Sequence, residues 1–385
     1  MRLSLLGLIL VCCAFAQAPN PPAPNPAANV RSPEIHPDGK ITFRLYAPKV
    51  TEVSMRGEWM PGSDRAALVK DETGVWSVTL TPPKADLYSY SFQVDGVTII
   101  DPRNPAVKLG ATSSTTSLVE MPGEAAAFHA IQNVPHGTVH IHHYMSKATG
   151  TMRRVHVYTP PGYEGDAKAK YPVLYLLHGS GDTDAEWSYL GRAGIILDNL
   201  AVKGKVKPML IVMPDGHPVK STDPSARNQN TARFSEDLLG DVIPLVEKTY
   251  RVSTSREHRA LAGLSMGGMQ TLSVGLANLD KFSHLGVFSA GAGGREANAS
   301  AFETAHAAVL GNAAKTNKQL RLFWIACGKA DFLRPSVEAL LGSLNQHGIK
   351  HTWRESEGGH TWTNWRVYLS EFAPLLFQAS AESNN

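Results

Sequence analysis

Apolar and polar residues alternate with a period of two in three stretches near the start of the chain. Ile41-Thr42-Phe43-Arg44-Leu45-Tyr46 alternates and is ended by Ala47-Pro48. Val75 to Leu80 alternates after Thr73-Gly74 and is closed by Pro82-Pro83. Tyr88 to Val94 alternates into Asp95-Gly96, the dipeptide that a tight hairpin turn favours. Short strands at this spacing, with no helical stretch between them, predict an Ig-like β-sandwich over residues 31–122. Residues 123–135 read as a linker.

From about His136 the pattern changes. Tyr171 to Leu177 and Met209 to Met213 are short apolar runs, as in strands buried on both faces. Between Phe234 and Tyr250, Leu238, Leu239, Val242, Leu245 and Val246 recur at helical spacing, with Ser235 as a candidate cap. Further strands are predicted at Val155–Thr159, Ala260–Ala262, Leu285–Phe288, Leu322–Ala326 and Lys350–Arg354, and a helix at Val337–His347. This βα order predicts a mostly parallel sheet flanked by helices over residues 136–380. Such sheets host many chemistries, so function has to be read from particular residues.

The first sixteen residues have the texture of a signal peptide: Arg2, an apolar core from Leu3 to Cys13, and small residues in Ala14-Phe15-Ala16. That apolar run is too short to span a bilayer. A Pro/Ala/Asn-rich leader follows over 17–30. A secreted or periplasmic protein with no membrane span is therefore expected. Removal of the signal takes Cys12 and Cys13 with it and leaves Cys327, so no internal disulfide is expected. The chain has 385 residues, 43% hydrophobic and 18% charged, with a formal charge of +3. That is an ordinary globular balance with no basic run to suit nucleic acid.

Gly263-Leu264-Ser265-Met266-Gly267-Gly268 fits G-x-S-x-G. The string alone is weak, and a glycine-rich turn of a nucleotide-binding sheet is its alternative. Its context, a strand through Ala262 and a helix from Met269 to Ala277, matches a sharp turn that projects a serine from a strand end. A serine needs a base within reach, and in that arrangement an acid and then a histidine follow along the chain. Asp331, in Gly328-Lys329-Ala330-Asp331, and His360, in Glu357-Gly358-Gly359-His360, occupy loops after later strands. Ser265 is thus the candidate nucleophile, His360 the base and Asp331 the residue that orients it. Backbone N–H groups of Met266 and of Ser180, in His178-Gly179-Ser180-Gly181, are the candidate oxyanion donors. Trp187, Arg192 and Arg227 lie in loops that could touch substrate or simply pack. His136, His140, His142 and His143 cluster without a carboxylate or cysteine to complete a site, so neither a metal nor another cofactor is expected.

With these motifs placed, residues from about Val134 to Phe377 resemble the esterase-D-like branch of α/β-hydrolases, and within it bacterial carbohydrate esterases of family 1, the feruloyl and acetyl-xylan esterase type. The resemblance also rests on Thr159-Pro160-Pro161-Gly162-Tyr163, Met213-Pro214-Asp215-Gly216-His217 and Gly359-His360-Thr361-Trp362. It implies hydrolysis of a small or polysaccharide-linked ester, releasing ferulate or acetate from plant cell wall. Enterobactin-type siderophore esterases and acyl transferases are alternatives within the class. A catalytically silent carbohydrate-binding protein is the alternative outside it.

The preceding sandwich resembles early-set modules related to the CBM48 group, through Gly57-Glu58-Trp59, Gly74-Val75-Trp76 and Asp95-Gly96. Met60 stands where starch-binding members commonly carry a polar residue. Trp59 and Trp76 are read as inward core side chains, and the module as a candidate wall of the active-site cleft.

Overall fold

The structure is a computed structural model that describes residues 26–81, 84–110, 115–219 and 229–378. The expected signal segment and Arg227 lie outside the described residues. Ten strands come first: β1 (Glu34–Ile35), β2 (Ile41–Tyr46), β3 (Val53–Gly57), β4 (Ala66–Ala67), β5 (Val69–Lys70), β6 (Val75–Leu80), β7 (Asp86–Val94), β8 (Val97–Ile99), β9 (Val107–Lys108) and β10 (Thr116–Met121). They form two antiparallel sheets, β1-β2-β6-β5 and β4-β3-β7-β10-β9, with β8 folded back on β7 by the Asp95-Gly96 turn. The pleat turns Ile41, Phe43 and Leu45 of one sheet towards Met55, Tyr90 and Phe92 of the other, all buried. Trp76 belongs to this core and its Nε1–H donates to the Ala47 carbonyl at 2.9 Å. Trp59 stacks over Phe43 and meets Tyr88 edge-on. Neither ring is a free sugar platform.

Eight further strands make one sheet: β11 (Thr138–Ser146), β12 (Thr151–Thr159), β13 (Val173–Leu177), β14 (Leu210–Pro214), β15 (Arg259–Leu264), β16 (His284–Phe288), β17 (Leu322–Gly328) and β18 (Thr352–Ser356). Their order across the sheet is β11-β12-β14-β13-β15-β16-β17-β18. β11 and β12 are antiparallel to their neighbours, and β13 to β18 run parallel. Every residue of β13, β14, β15 and β16 is buried, which explains why these strands read as unbroken apolar runs. In an open sheet of this kind ligands sit beyond the carboxyl ends of the strands.

The two parts share a core. Leu87 of β7 and Leu118 of β10 are buried in the same cluster as Leu174, Trp187, Leu190 and Trp362 of the larger part. Arg366, fully buried, donates to Asp86 Oδ1 and to the Leu87 carbonyl, both at 2.7 Å, and to the Leu190 carbonyl at 3.0 Å. Residues 123–135, read from sequence as a linker, pack along this seam: the Asn199 amide donates to the carbonyls of Phe128 (3.1 Å) and Ala130 (2.9 Å).

Candidate active site

Three side chains far apart in the chain converge beyond the carboxyl edge of the large sheet. Ser265 ends β15 and opens helix Met266–Gln270, and the turn between them is tight enough to force φ to 52°. A non-glycine residue there is strained by about 1–3 kcal/mol, a strain found where the surrounding structure holds a functional side chain in place. The turn closes because positions 263 and 267 lack side chains. A Cβ on Gly263 would lie 2.5 Å from the Gly267 backbone, and one on Gly267 2.6 Å from the His178 carbonyl. The Ser265 N–H donates to the Phe288 carbonyl at 2.8 Å, which ties the turn to the neighbouring strand.

Asp331 follows β17 and His360 follows β18. A Cβ on Gly328 would lie 2.3 Å from the Gly358 carbonyl, so the two loops pass in direct contact; the Ala330 N–H donates to that same carbonyl at 2.9 Å. His360 Nδ1 lies 3.0 Å from both Asp331 carboxylate oxygens, and His360 Nε2 lies 2.9 Å from Ser265 Oγ. Asp331 also accepts the Leu333 N–H at 2.9 Å. Burial pushes the Asp331 carboxyl up, but its hydrogen bond to His360 and the proximity of that ring outweigh burial and leave it below the usual carboxylate value. An ionised Asp331 fixes the Nδ1–H tautomer and leaves Nε2 free to accept the serine proton. The imidazole is held by Phe332, tilted against it at 46° (centroids 4.4 Å), and by Trp365 at right angles (4.9 Å).

The candidate oxyanion donors lie on either side of the serine. Met266 is the first residue of its helix, so its N–H has no acceptor within that helix. Ser180 lines the cleft together with Gly179 and Ser265. From its place in the motif, His178 is read as a support of the Ser180 loop rather than an acid–base group; its partners in that support, His217 and Arg153, were missed. His178 is buried, and in its Nδ1–H tautomer it donates to the Gly179 carbonyl (2.8 Å) while Nε2 accepts the Gly216 N–H (2.7 Å). His217 Nε2 accepts the Gly181 N–H at 3.3 Å. Burial holds the His217 imidazole below its ordinary value, so it stays a neutral acceptor. Arg153 of β12 fixes the 215–217 segment through the carbonyls of Asp215 and His217. Histidines two loops apart carried no sequence signal of this pairing beyond standing in the motifs His178-Gly179 and Gly216-His217.

Two candidate substrate contacts are corrected. Trp187 is 1% exposed, donates its Nε1–H to the Leu177 carbonyl at 2.9 Å and packs edge-on against Trp362. It is core. Arg192 turns away from the cleft to make two 2.7 Å bonds to Glu120 of β10 and so clamps the two parts together. The histidine group is also bonded locally: His140 to Thr159, His142 to Tyr250, and His136 to Asp198.

The cleft over Ser265 measures about 240 Å³ and is lined by residues of both parts: Ser180, Asp182, Ser265, His360 and Trp362 from the larger, and Glu58, Ser89 and Lys108 from the smaller.

An eight-stranded sheet in this order, with a serine at the strained turn after its fifth strand, is an α/β-hydrolase arrangement. The chain belongs to the esterase family whose model, described as a putative esterase, matches residues 146–376. An endo-1,4-beta-xylanase/feruloyl esterase of Xylanibacter ruminicola is 30% identical over 355 residues, 90% of this chain and 46% of that protein. The chain thus spans less than half the length of this curated relative. A ferulic acid esterase from Anaeromyces mucronatus, solved in complex with ferulic acid, is 26% identical and superposes with a TM-score of 0.55 over 65% of this chain and 95% of its own. The enterochelin esterase from Shigella flexneri shares the fold over 88% of this chain and 92% of its own, with a TM-score of 0.63 at 19% identity.

Proposed function

We propose that the protein is a serine carboxylic-ester hydrolase that releases ferulate or acetate from plant cell-wall polysaccharide outside the cytoplasm, with residues 31–122 as an early-set, CBM48-like module. The observation that carries the reading is the unbroken line from Asp331 through His360 to Ser265 Oγ, with links of 3.0 and 2.9 Å. In this mechanism neutral His360 takes the Ser265 proton as Oγ attacks the ester carbonyl. The N–H groups of Met266 and Ser180 receive the developing oxyanion. Imidazolium His360 then returns the proton to the leaving alcohol, and water repeats the sequence on the acyl-enzyme. Removal of one oxyanion donor typically costs about 3–4 kcal/mol of transition-state stabilisation.

The substrate class is supported by the names of the relatives, a xylanase/feruloyl esterase and a ferulic acid esterase. The siderophore reading draws on the two-part likeness to an enterochelin esterase. The cleft does not favour it. Among the described lining residues Lys108 is the one Lys or Arg, and its ammonium is 2.6 Å from Asp182, so little positive potential is left for a ferric catecholate anion. Parallel assays on methyl ferulate, p-nitrophenyl acetate and a catecholate trilactone test the choice. Turnover of the first two and not the third is expected, and preference for the trilactone would reverse the assignment.

A further inference from the structure

The wall of the cleft that faces His360 is built by the smaller part of the molecule. Glu58 follows β3, and its main chain pairs with Ser89 of β7 through a 2.8 Å bond. One carboxylate oxygen, Oε1, accepts the Trp362 N–H at 3.2 Å across 304 residues of sequence. The other, Oε2, accepts the Ser89 N–H at 3.1 Å and the Ser89 hydroxyl at 3.3 Å. Trp362 stands two residues past His360 and opens helix Trp362–Phe372, whose preceding residue Thr361 supplies no side-chain cap.

Resting on the esterase reading above, we propose that Glu58 is a specificity-determining residue that binds hydroxyl groups on the alcohol half of the ester. The leaving oxygen must lie beside His360 Nε2 to collect its proton, so the alcohol half occupies the His360 side of the cleft. Glu58 lines that side and is held there by Trp362. A carboxylate offers about four lone-pair sites, and the three protein donors named leave capacity for one more donor from the cleft. Only a group with a proton to give, such as a sugar hydroxyl, answers that acceptor; an alkyl alcohol leaves it unmet and an anionic one is repelled. Asp182, also in the lining, is ion-paired with Lys108 at 2.6 Å. The smaller part is therefore a working wall of the active site for a glycosyl ester.

The test uses the full chain and two esters of one acid, methyl ferulate and ferulate carried on the primary hydroxyl of arabinose. Glu58→Ala is expected to raise KM for the pentosyl ester and to lower the pentosyl-to-methyl ratio of kcat/KM by about 10-fold or more, the worth of a hydrogen bond to a charged group. Glu58→Gln keeps an acceptor for the Trp362 N–H, so it is expected to recover kcat while the ratio stays below that of the wild type. An equal fall of kcat on both esters that Glu58→Gln restores would mean that Glu58 only positions the His360 loop, and would overturn the inference. So would an unchanged ratio. Competition on the wild type covers a variant that fails to fold: a methyl arabinofuranoside is expected to inhibit methyl ferulate hydrolysis competitively in the millimolar range, and its failure to do so counts against a hydroxyl subsite. A wild type that cleaves methyl ferulate but gains nothing from arabinose defeats this inference alone, whereas a wild type that cleaves neither ferulate ester nor p-nitrophenyl acetate defeats the function on which it rests.

Discussion

On the proposed reading, Ser265 Oγ becomes a nucleophile through a strained backbone and an imidazole 2.9 Å away. Ser265→Ala should therefore lower kcat by about 10⁴-fold or more with KM little changed, as steady-state kinetics on methyl ferulate would show. Asp331→Asn should cost about 10³–10⁴-fold, because an amide at that position favours the wrong His360 tautomer. The pH profile follows from the same two residues. Asp331, held below the usual carboxylate value by His360 despite its burial, stays ionised as the solution is acidified. With that carboxyl already ionised, one proton-uptake step rather than two should govern the acid limb, and kcat/KM should fall there roughly tenfold per pH unit. A steeper limb would mean that a second group titrates with it. Of these side chains, the sequence exposed the ones at strand ends. Gly263 and Gly267 mark the turn around Ser265, and Gly358-Gly359 marks the loop before His360. Glu58 was visible only as part of a module motif, because the contact that gives it meaning joins positions 304 residues apart. For Trp187 the sequence left substrate contact and packing both open, and its burial beside Trp362 decides for packing.

At the scale of elements, β13 to β17 were legible because burial on both faces leaves an unbroken apolar run. β11 was not. It is an edge strand with Val139, Ile141 and Met145 exposed among histidines, so neither periodicity stands out. Helix Trp362–Phe372 was missed because its buried face includes Asn364 and Arg366, polar residues that blur the amphipathic pattern. Elements also set the acid limit of stability. His284 opens β16, packs on Phe377 and accepts its N–H at 3.4 Å. Burial, with nearby Arg321 and Arg256, lowers its imidazole from 6.5 to about 4. The folded state thus binds this proton less readily than the unfolded chain. Its contribution is whole above pH 6.5 and is lost as pH falls towards 4, by about 3 kcal/mol at most. The drop in Tm between pH 7 and pH 4 should accordingly be smaller for His284→Asn than for the wild type in calorimetry; equal drops would contradict the assignment.

Across the whole molecule, the seam between the two parts is a continuation of the core. Two ion pairs on it differ in burial and should differ in weight. Asp86→Ala would strand the fully buried Arg366 guanidinium and is expected to cost about 3–5 kcal/mol in urea unfolding. Glu120→Ala, which removes the half-exposed partner of Arg192, should cost about 1 kcal/mol or less. The division into a β-rich part and an α/β part was readable from periodicity. The seam was not, since Arg366 pairs with Asp86 across 280 residues and Leu87 serves a core formed almost wholly by later residues.

The central claim is that Ser265, through His360, is a reactive nucleophile. Intact-mass and peptide analysis after treatment with a fluorophosphonate tests it most directly. The account predicts one adduct, on the peptide that carries Ser265, forming far more slowly in His360→Ala and absent in Ser265→Ala. No adduct on the wild type, or an adduct that persists in Ser265→Ala, would contradict it.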